Sequence, residues 1–208
     1  VWDDPDFKDE LSYRVVHNNQ TIAFMMGVLR EESDTKVGYI KKLVVDRRYQ
    51  RKGIGKRLLV EMEKLLYARK ARVIRLMDSA PNYLTPGLDA RYTHGMVFFE
   101  KNGYTRTGDA HNMEVDLEEV DLSTEADEQR FAESGIEIRR AVMADADEVR
   151  SFVSQHWLAW IPELNRSLLN YPISLHIAVK AEKVIAFSAY DANNVNTGNF
   201  GPMGTAPE

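Results

Sequence analysis

The sequence predicts an α/β fold of α+β character: a mixed central sheet flanked by helices, with a second, partial copy of that sheet later in the chain. Three observations predict it. Gly38–Ala68 reads as strand, glycine-bearing loop and amphipathic helix, and a short strand follows at Val73–Met77. Two parallel strands joined through a helix form a crossover. Strand-like alternation precedes it from Tyr13. Finally, Tyr13–Phe24 aligns without gaps with His176–Phe187, so that Ile22-Ala23-Phe24 falls on Ile185-Ala186-Phe187. Such self-similarity marks an internal repeat.

Taken in order, Tyr13, Val15 and His17 alternate with Arg14 and Val16, Asn18-Asn19-Gln20 supplies a turn, and Thr21–Leu29 is a second strand. Polar Glu31–Lys36 leads into the strand Tyr39–Val45, where period two puts Tyr39, Lys41 and Leu43 on one face. Ile54, Leu58, Met62, Leu65 and Leu66 recur at helical spacing. Pro81–Asp89 is a loop turning at Pro86-Gly87. Tyr92, Met96 and Phe99 then share a helix face, and Gly103 stops that helix. Tyr104–Thr107 and Asn112–Leu117 read as closing strands. Residues 119–135 form an acidic linker with a short helix near Glu125–Ala132, separating a first domain, 1–118, from a second, 136–208. In the second, Ile136–Arg139 is a strand, and Val149, Val153, Trp157 and Trp160 lie on a helix ended by Pro162. Leu164–Leu169 is a further helix. Phe200–Thr205 is a strand expected to run antiparallel to Val184–Tyr190, with Ile185 and Phe187 buried together beneath the helix.

The chemistry concentrates in Arg47–Gly55, a basic loop that ends at a helix N-terminus. Unbonded N–H groups and the positive end of the helix dipole make such a place a phosphate site. Two common phosphate loops fail here. A Walker A loop needs Gly at position 50 and Ser or Thr at 57, which are Gln and Arg; a dinucleotide fingerprint needs Gly at 58, which is Leu. The pattern Gln/Arg-x-x-Gly-x-Gly/Ala fits Gln50-Arg51-Lys52-Gly53-Ile54-Gly55 without a gap. With the strand before it, the Asp46 and Arg48 flank and the helix after it, this stretch resembles the acyl-CoA pyrophosphate loop of the GCN5-related N-acetyltransferases (GNAT). Phe98–Tyr104 is similar to the Tyr-Glu-Lys-x-Gly-Phe segment of that family, and the ending Pro207-Glu208 to the residues just before its loop. The chain thus resembles a tandem GNAT member seen in part.

The resemblance implies an acyl-CoA N-acyltransferase fold and transfer of an acetyl group from acetyl-CoA to a primary amine, on a small molecule or a peptide, by direct attack on the thioester. Cofactor binding would fall to Leu43, Val44 and Val45 for the pantetheine arm and to Gln50, Arg51, Lys52, Gly53, Ile54, Gly55 and Lys56 for the pyrophosphate. The helix position of the family's usual acid Tyr is Phe99, so Tyr92 is the candidate catalytic donor, with Tyr83 and Tyr104 behind it. The strand carries Lys41 and Lys42 where relatives often place a Glu; Glu31, Glu32, His94 and His111 are the other proton acceptors in view. Phe99 and the carboxylate-free strand also suit an acyl-CoA-binding sensor or structural domain of the same fold. Trp157, Trp160 and His156 read as helix core or as an aromatic site for a cationic amine. No metal site is expected. A net charge of −5 argues against nucleic acid as the partner of the basic loop. No apolar run approaches the roughly 20 residues that span a bilayer. Zero cysteines suit a reducing, cytoplasmic setting.

Overall fold

The computed structural model describes residues 4–32, 34–80, 86–111 and 113–207. The chain divides between His111 and Asn112 into two units, each with its own four-stranded sheet. The first contains β1 (Ser12–His17), β2 (Gln20–Glu32), β3 (Thr35–Val45), α1 (Ile54–Ala68), β4 (Val73–Leu76) and α2 (Thr93–Lys101). Its sheet order is β1-β2-β3-β4. The first two pairings are antiparallel and β3–β4 is parallel, with α1 as the crossover. Of the α1 stripe expected from spacing, Leu58, Met62 and Leu66 are buried, joined by Leu59, against Ala23, Met25 and Ile40, while Ile54 and Leu65 are half-buried. Met26, Val28, Val37 and Tyr39 form a separate cluster, joined by Phe7 and Phe24.

Two irregularities in β3 shape the surface beside the loop. Met26 lies across from Lys42 while Gly27 lies across from Ile40, so Lys41 is an extra residue, a β-bulge. The bulge shifts the period-two phase. Tyr39 therefore joins the Met26 cluster and Leu43 the α1 side, instead of sharing one face as simple alternation predicts. Pairing of β3 with β4 also ends at Ile40–Leu76, closed by Met77 N–H donating to the Ile40 carbonyl at 2.9 Å. From Lys41 to Val45, β3 has strand pairing on its β2 side only among the described residues.

The expected closing strands are not formed: residues 104–111 and 113–117 have no strand structure. Their backbone is mostly exposed to water, where its polar groups need no sheet partner. Asn112, the loop at 81–85 with Tyr83, and Glu208 lie outside the described residues. The helix bearing Phe99 starts one residue later than its spacing suggests, so Tyr92 is its N-cap.

The second unit contains α3 (Glu125–Glu133), β5 (Ile136–Arg140), α4 (Ala146–His156), α5 (Ile161–Leu168), β6 (Leu175–Lys180), β7 (Lys183–Tyr190) and β8 (Phe200–Thr205). The helix inside the acidic stretch is α3, whose first turn carries Glu125, Asp127 and Glu128, well placed for the helix dipole. The sheet runs β5-β6-β7-β8 and is antiparallel throughout. Val149, Phe152 and Val153 of α4, with Leu164 and Leu168 of α5, cover Ile177, Val184 and Phe187. Three expectations change. Trp157 leaves the helix, with extended φ of −145°, and Trp160 sits in a short 3-10 turn; their rings stack at 5.4 Å. Pro162 opens α5 rather than ending α4, since the first helical turn needs no N–H there. Ile185 is half-buried, because a slip places Ala178 across from Ala186 and Val179 across from Val184; Val184 and Phe187 are the buried pair.

The two hairpins share local geometry. Asn18-Asn19 (φ 47° and 61°) and Ala181-Glu182 (φ 48° and 65°) both take left-handed turns, the type that suits two-residue hairpins. The register slips between Val15 and Val16 in one and between Ala178 and Val179 in the other, which are aligned positions. In β8, a Cβ on Gly204 would stand 2.6–2.9 Å from three ring atoms of Trp157. Gly204→Ala should therefore destabilise the second unit by about 1–3 kcal/mol through overpacking, read as a lower urea midpoint. Trp157→Leu in the same background should return most of the loss. Among the described residues no helix is long and apolar enough to cross a membrane.

Candidate functional site

The C-terminal end of β3 and the start of α1 build the site. Asp46 ends the strand and caps a short 3-10 turn, Arg47–Tyr49, by accepting from Arg48 N–H at 2.9 Å. Arg48 closes a second pair of bonds onto the same carboxylate at 3.1 Å, and these bonds hold Asp46 below the usual carboxylate range. The charge of Arg48 is thus spent locally. Gln50 donates its side-chain amide to the Val45 carbonyl at 2.9 Å, which ties the loop to the strand end. Lys52 Nζ lies 5.2 Å from the Tyr49 ring centroid, a cation–π contact.

Arg51 (φ 61°) and Gly53 (φ 81°) are left-handed, and this reverses the chain into α1. The first helical bond is Arg57 N–H to the Gly53 carbonyl at 3.0 Å. The N–H groups of Ile54, Gly55 and Lys56 precede it and have no helical acceptor. Among the described residues no carboxylate pairs with Arg51, Lys52, Lys56 or Arg57. The two glycines differ. A Cβ on Gly53 would meet nothing within 4 Å, so it faces open space; a Cβ on Gly55 would touch Phe98 and Val45 at 3.6–3.7 Å, so it faces the packing. Gly53 is the position that leaves the loop's outer face bare.

The loop stands beside the gap where β3 leaves β4. Leu43, Val44 and Val45 run along that gap, and every second residue of the strand turns its peptide groups away from β2. The geometry sets this strand edge, where Gln50 already occupies the Val45 carbonyl, beside a helix start whose first N–H groups have no helical acceptor. A separate apolar cleft of about 440 Å³ lies on the β1 side of α1, between Tyr13, Val15, Ile54 and Leu58.

The other candidates are scattered. Phe99 is buried, and its ring packs edge-on against Phe98 and Tyr104. Tyr92 is 67% exposed at the N-cap of α2, so it does not share the buried face of Phe99. The Tyr104 hydroxyl donates to Glu63 at 2.9 Å, and burial pushes its ionisation up. Glu32 accepts from the Tyr39 hydroxyl at the far end of β2. His94 and His111 are exposed. Trp157, Trp160 and His156 cluster around Phe152 and Phe187 in the second unit.

Sequence reading missed a buried ionic cluster behind the β3 bulge. The Asp4 side chain is 0% exposed and that of Lys41 1%. Asp4 Oδ2 accepts from Lys41 Nζ, and from Arg30 at 2.8 Å. Arg30 also pairs with Asp6 and donates Nε–H to the buried Ser79 hydroxyl at 2.9 Å. Only the unusual run Ile40-Lys41-Lys42-Leu43, charge inside a core strand, hinted at it. Among the described residues no group of three or more His, Asp or Glu side chains could hold a metal ion.

Residues 1–84 match the model of the acetyltransferase (GNAT) family. The match covers less than half of the 208-residue chain. No curated protein matches the chain. Among solved structures, the chain is similar to a GCN5-related glucosamine N-acetyltransferase region of a fungal multi-domain GH3 β-N-acetylglucosaminidase, with a TM-score of 0.65 and 18% identity over 90% of this chain. The chain spans about a quarter of that fungal protein, whose matched share is 25%. An aminoglycoside acetyltransferase from an uncultured soil metagenomic sample, solved with trehalose, matches 55% of this chain and 68% of its own at 17% identity and a TM-score of 0.42. An aminoglycoside N-acetyltransferase solved with CoA matches 50% of this chain and 75% of its own at 12% identity and a TM-score of 0.41. The mixed sheet with flanking helices is therefore the acyl-CoA N-acyltransferase fold of GNAT proteins.

Proposed function

We propose that residues 1–118 are an acetyl-CoA-dependent N-acetyltransferase domain that acetylates a primary amine on a small molecule or peptide. The observation that carries this reading is the junction of the phosphate loop with the unpaired edge of β3. The pyrophosphate would sit on the N–H groups of Ile54, Gly55 and Lys56, with Arg51 and Lys52 supplying charge and Gln50 holding the loop in place. The pantetheine amides would pair with the open edge of Leu43–Val45, as an added strand pairs with a sheet edge. The bound cofactor supplies the activated acyl group; the strand and loop orient it, which by itself contributes much of the rate.

Residues 136–208 read as the opening half of a second GNAT repeat, with 119–135 as the linker. The shared turn and register slip of the two hairpins, followed in each by an antiparallel third strand, support it. Zero cysteines agree with a cytoplasmic setting. The alternative reading, an acyl-CoA sensor without turnover, draws on buried Phe99 and on a β3 strand with no carboxylate before Asp46.

Thiol release from acetyl-CoA, followed across a panel of sugar amines, polyamines and peptides, separates the two. Turnover on any amine establishes the enzyme, and saturable binding without turnover establishes the sensor. Tyr92, the N-cap residue of the helix that carries Phe99, is the proposed thiolate proton donor. Tyr92→Phe should lower kcat by roughly tenfold to a hundredfold, because water replaces part of a general acid's contribution. An unchanged kcat across the pH range removes Tyr92 from the reaction.

A further inference from the structure

We propose that Lys42 is an acetyl-acceptor site of this domain: with acetyl-CoA bound and no outside amine present, its Nζ attacks the thioester and becomes acetylated. The inference rests on the acetyl-CoA reading above and adds a modification site to it.

Lys42 directly follows the β3 bulge and directly precedes Leu43, the first residue of the strand edge proposed for the pantetheine arm. An arm that starts at the phosphate loop and runs back along β3 passes Asp46 and reaches Lys42 after four residues, about 13 Å at strand rise. There the β3–β4 gap narrows to its apex, since the last bond between the strands is made at Ile40. The acyl end of the arm therefore arrives where Lys42 stands. Lys42 lies directly across from Met26, so its side chain is on the Met26 face, away from α1.

The state of the amine matters as much as its position. Only a neutral amine is nucleophilic, and most lysines at neutral pH are charged. Lys42 is half-buried, and burial alone holds its amine below the usual lysine range. The charged groups behind it, Lys41, Asp4 and Arg30, are engaged with one another. Lys41 is fixed in that cluster, and Lys52 and Lys56 belong to the phosphate end. Lys64 is exposed and paired with Glu61 at 3.1 Å. Lys42 is thus the lysine that combines placement at the acyl end with a depressed charge.

The step balances without a further reactant. The Nζ lone pair forms a C–N bond to the thioester carbonyl carbon, the C–S bond breaks, and the nitrogen's proton passes to the departing thiolate. The products are Nζ-acetyl-Lys42 and CoA thiol.

The test uses the full chain with acetyl-CoA at neutral pH and no added amine, then digestion and mass spectrometry of each lysine-bearing peptide. Acetylation at Lys42 should exceed that at Lys64 by at least about tenfold, a small share of what a held reactant pair gains over free encounter. The excess should vanish in Gly53→Glu while the Lys64 level stays the same. Equal levels at Lys42 and Lys64 in protein shown by calorimetry to bind acetyl-CoA overturn the proposal. So does an excess that survives in Gly53→Glu, since the reaction then does not need the loop. Protein that binds no acetyl-CoA at all overturns the acetyltransferase reading first, and this inference with it.

Discussion

Gly53→Glu should weaken acetyl-CoA binding by roughly a thousandfold, measured by calorimetric titration. Gly53 faces open space at the outer surface of the loop, where an added Cβ would meet nothing within 4 Å. A carboxylate there would stand at close range against a pyrophosphate bound as proposed. Two like charges 4 Å apart repel by about 4 kcal/mol at the effective dielectric of a protein surface, and each 1.4 kcal/mol is about tenfold in affinity. Backbone strain has to be separated from charge, because Gly53 has φ of 81° and any side chain there costs about 1–2 kcal/mol. Gly53→Ala carries the same strain without the charge, so it should lower stability and spare most of the affinity. Gly55→Ala should do neither, since its Cβ would make ordinary contact with Phe98 and Val45 inside a regular helix. A Gly53→Glu variant that binds as tightly as the unsubstituted chain sinks the site assignment.

The loop was legible because its chemistry is local. Six consecutive residues, a strand before them and an amphipathic helix after them specify the strand, left-handed loop and helix start that the structure shows, and no distant contact is needed to read them. The helices α1 and α3 and the hairpins were legible for the same reason, from period and turn residues. The β3 bulge was not. An extra residue at Lys41 leaves no mark in Ile40-Lys41-Lys42-Leu43, because register is decided by what β2 offers opposite, and Gly27 gives way there. The closing strands failed in the opposite sense. Tyr104–Thr107 has strand composition, yet strand propensity yields to context, and Tyr104 is held by Glu63 of α1 and the Phe99 ring. Trp157 had helical spacing from Val153, but stacking on Trp160 and packing on Phe187 hold it in extended backbone. The Asp4–Lys41 pair spans 37 positions, beyond any window in which charge pattern is read.

That pair carries the second large effect. Asp4→Ala should destabilise the first unit by about 3–5 kcal/mol, the usual cost of removing one member of a buried ion pair. The Asp4 carboxylate is fully buried and accepts from both Arg30 and Lys41. Its loss leaves the Lys41 ammonium, itself 1% exposed, without that counter-charge in a place water does not reach. The charge explanation has its own check. Asp4→Ala with Lys41→Met removes both members and should recover about 0.5–3 kcal/mol relative to the sum of the single variants, the range for groups in contact. Urea unfolding of all four proteins reads the cycle, and additive losses would make the pair incidental. The cluster also sits across the gap that opens beside the site. Arg30 belongs to β2, Lys41 is the bulged residue of β3, and Ser79 follows β4, so Asp4 and Arg30 link both walls at the apex. Weakening that link should loosen the β3 edge before it unfolds the sheet. Lys41→Met alone leaves Asp4 paired with Arg30, so it should cost less stability than Asp4→Ala yet still raise the KM for acetyl-CoA. A KM unchanged in Lys41→Met would confine the cluster to holding the fold and leave the width of the gap to the backbone of β3 and β4.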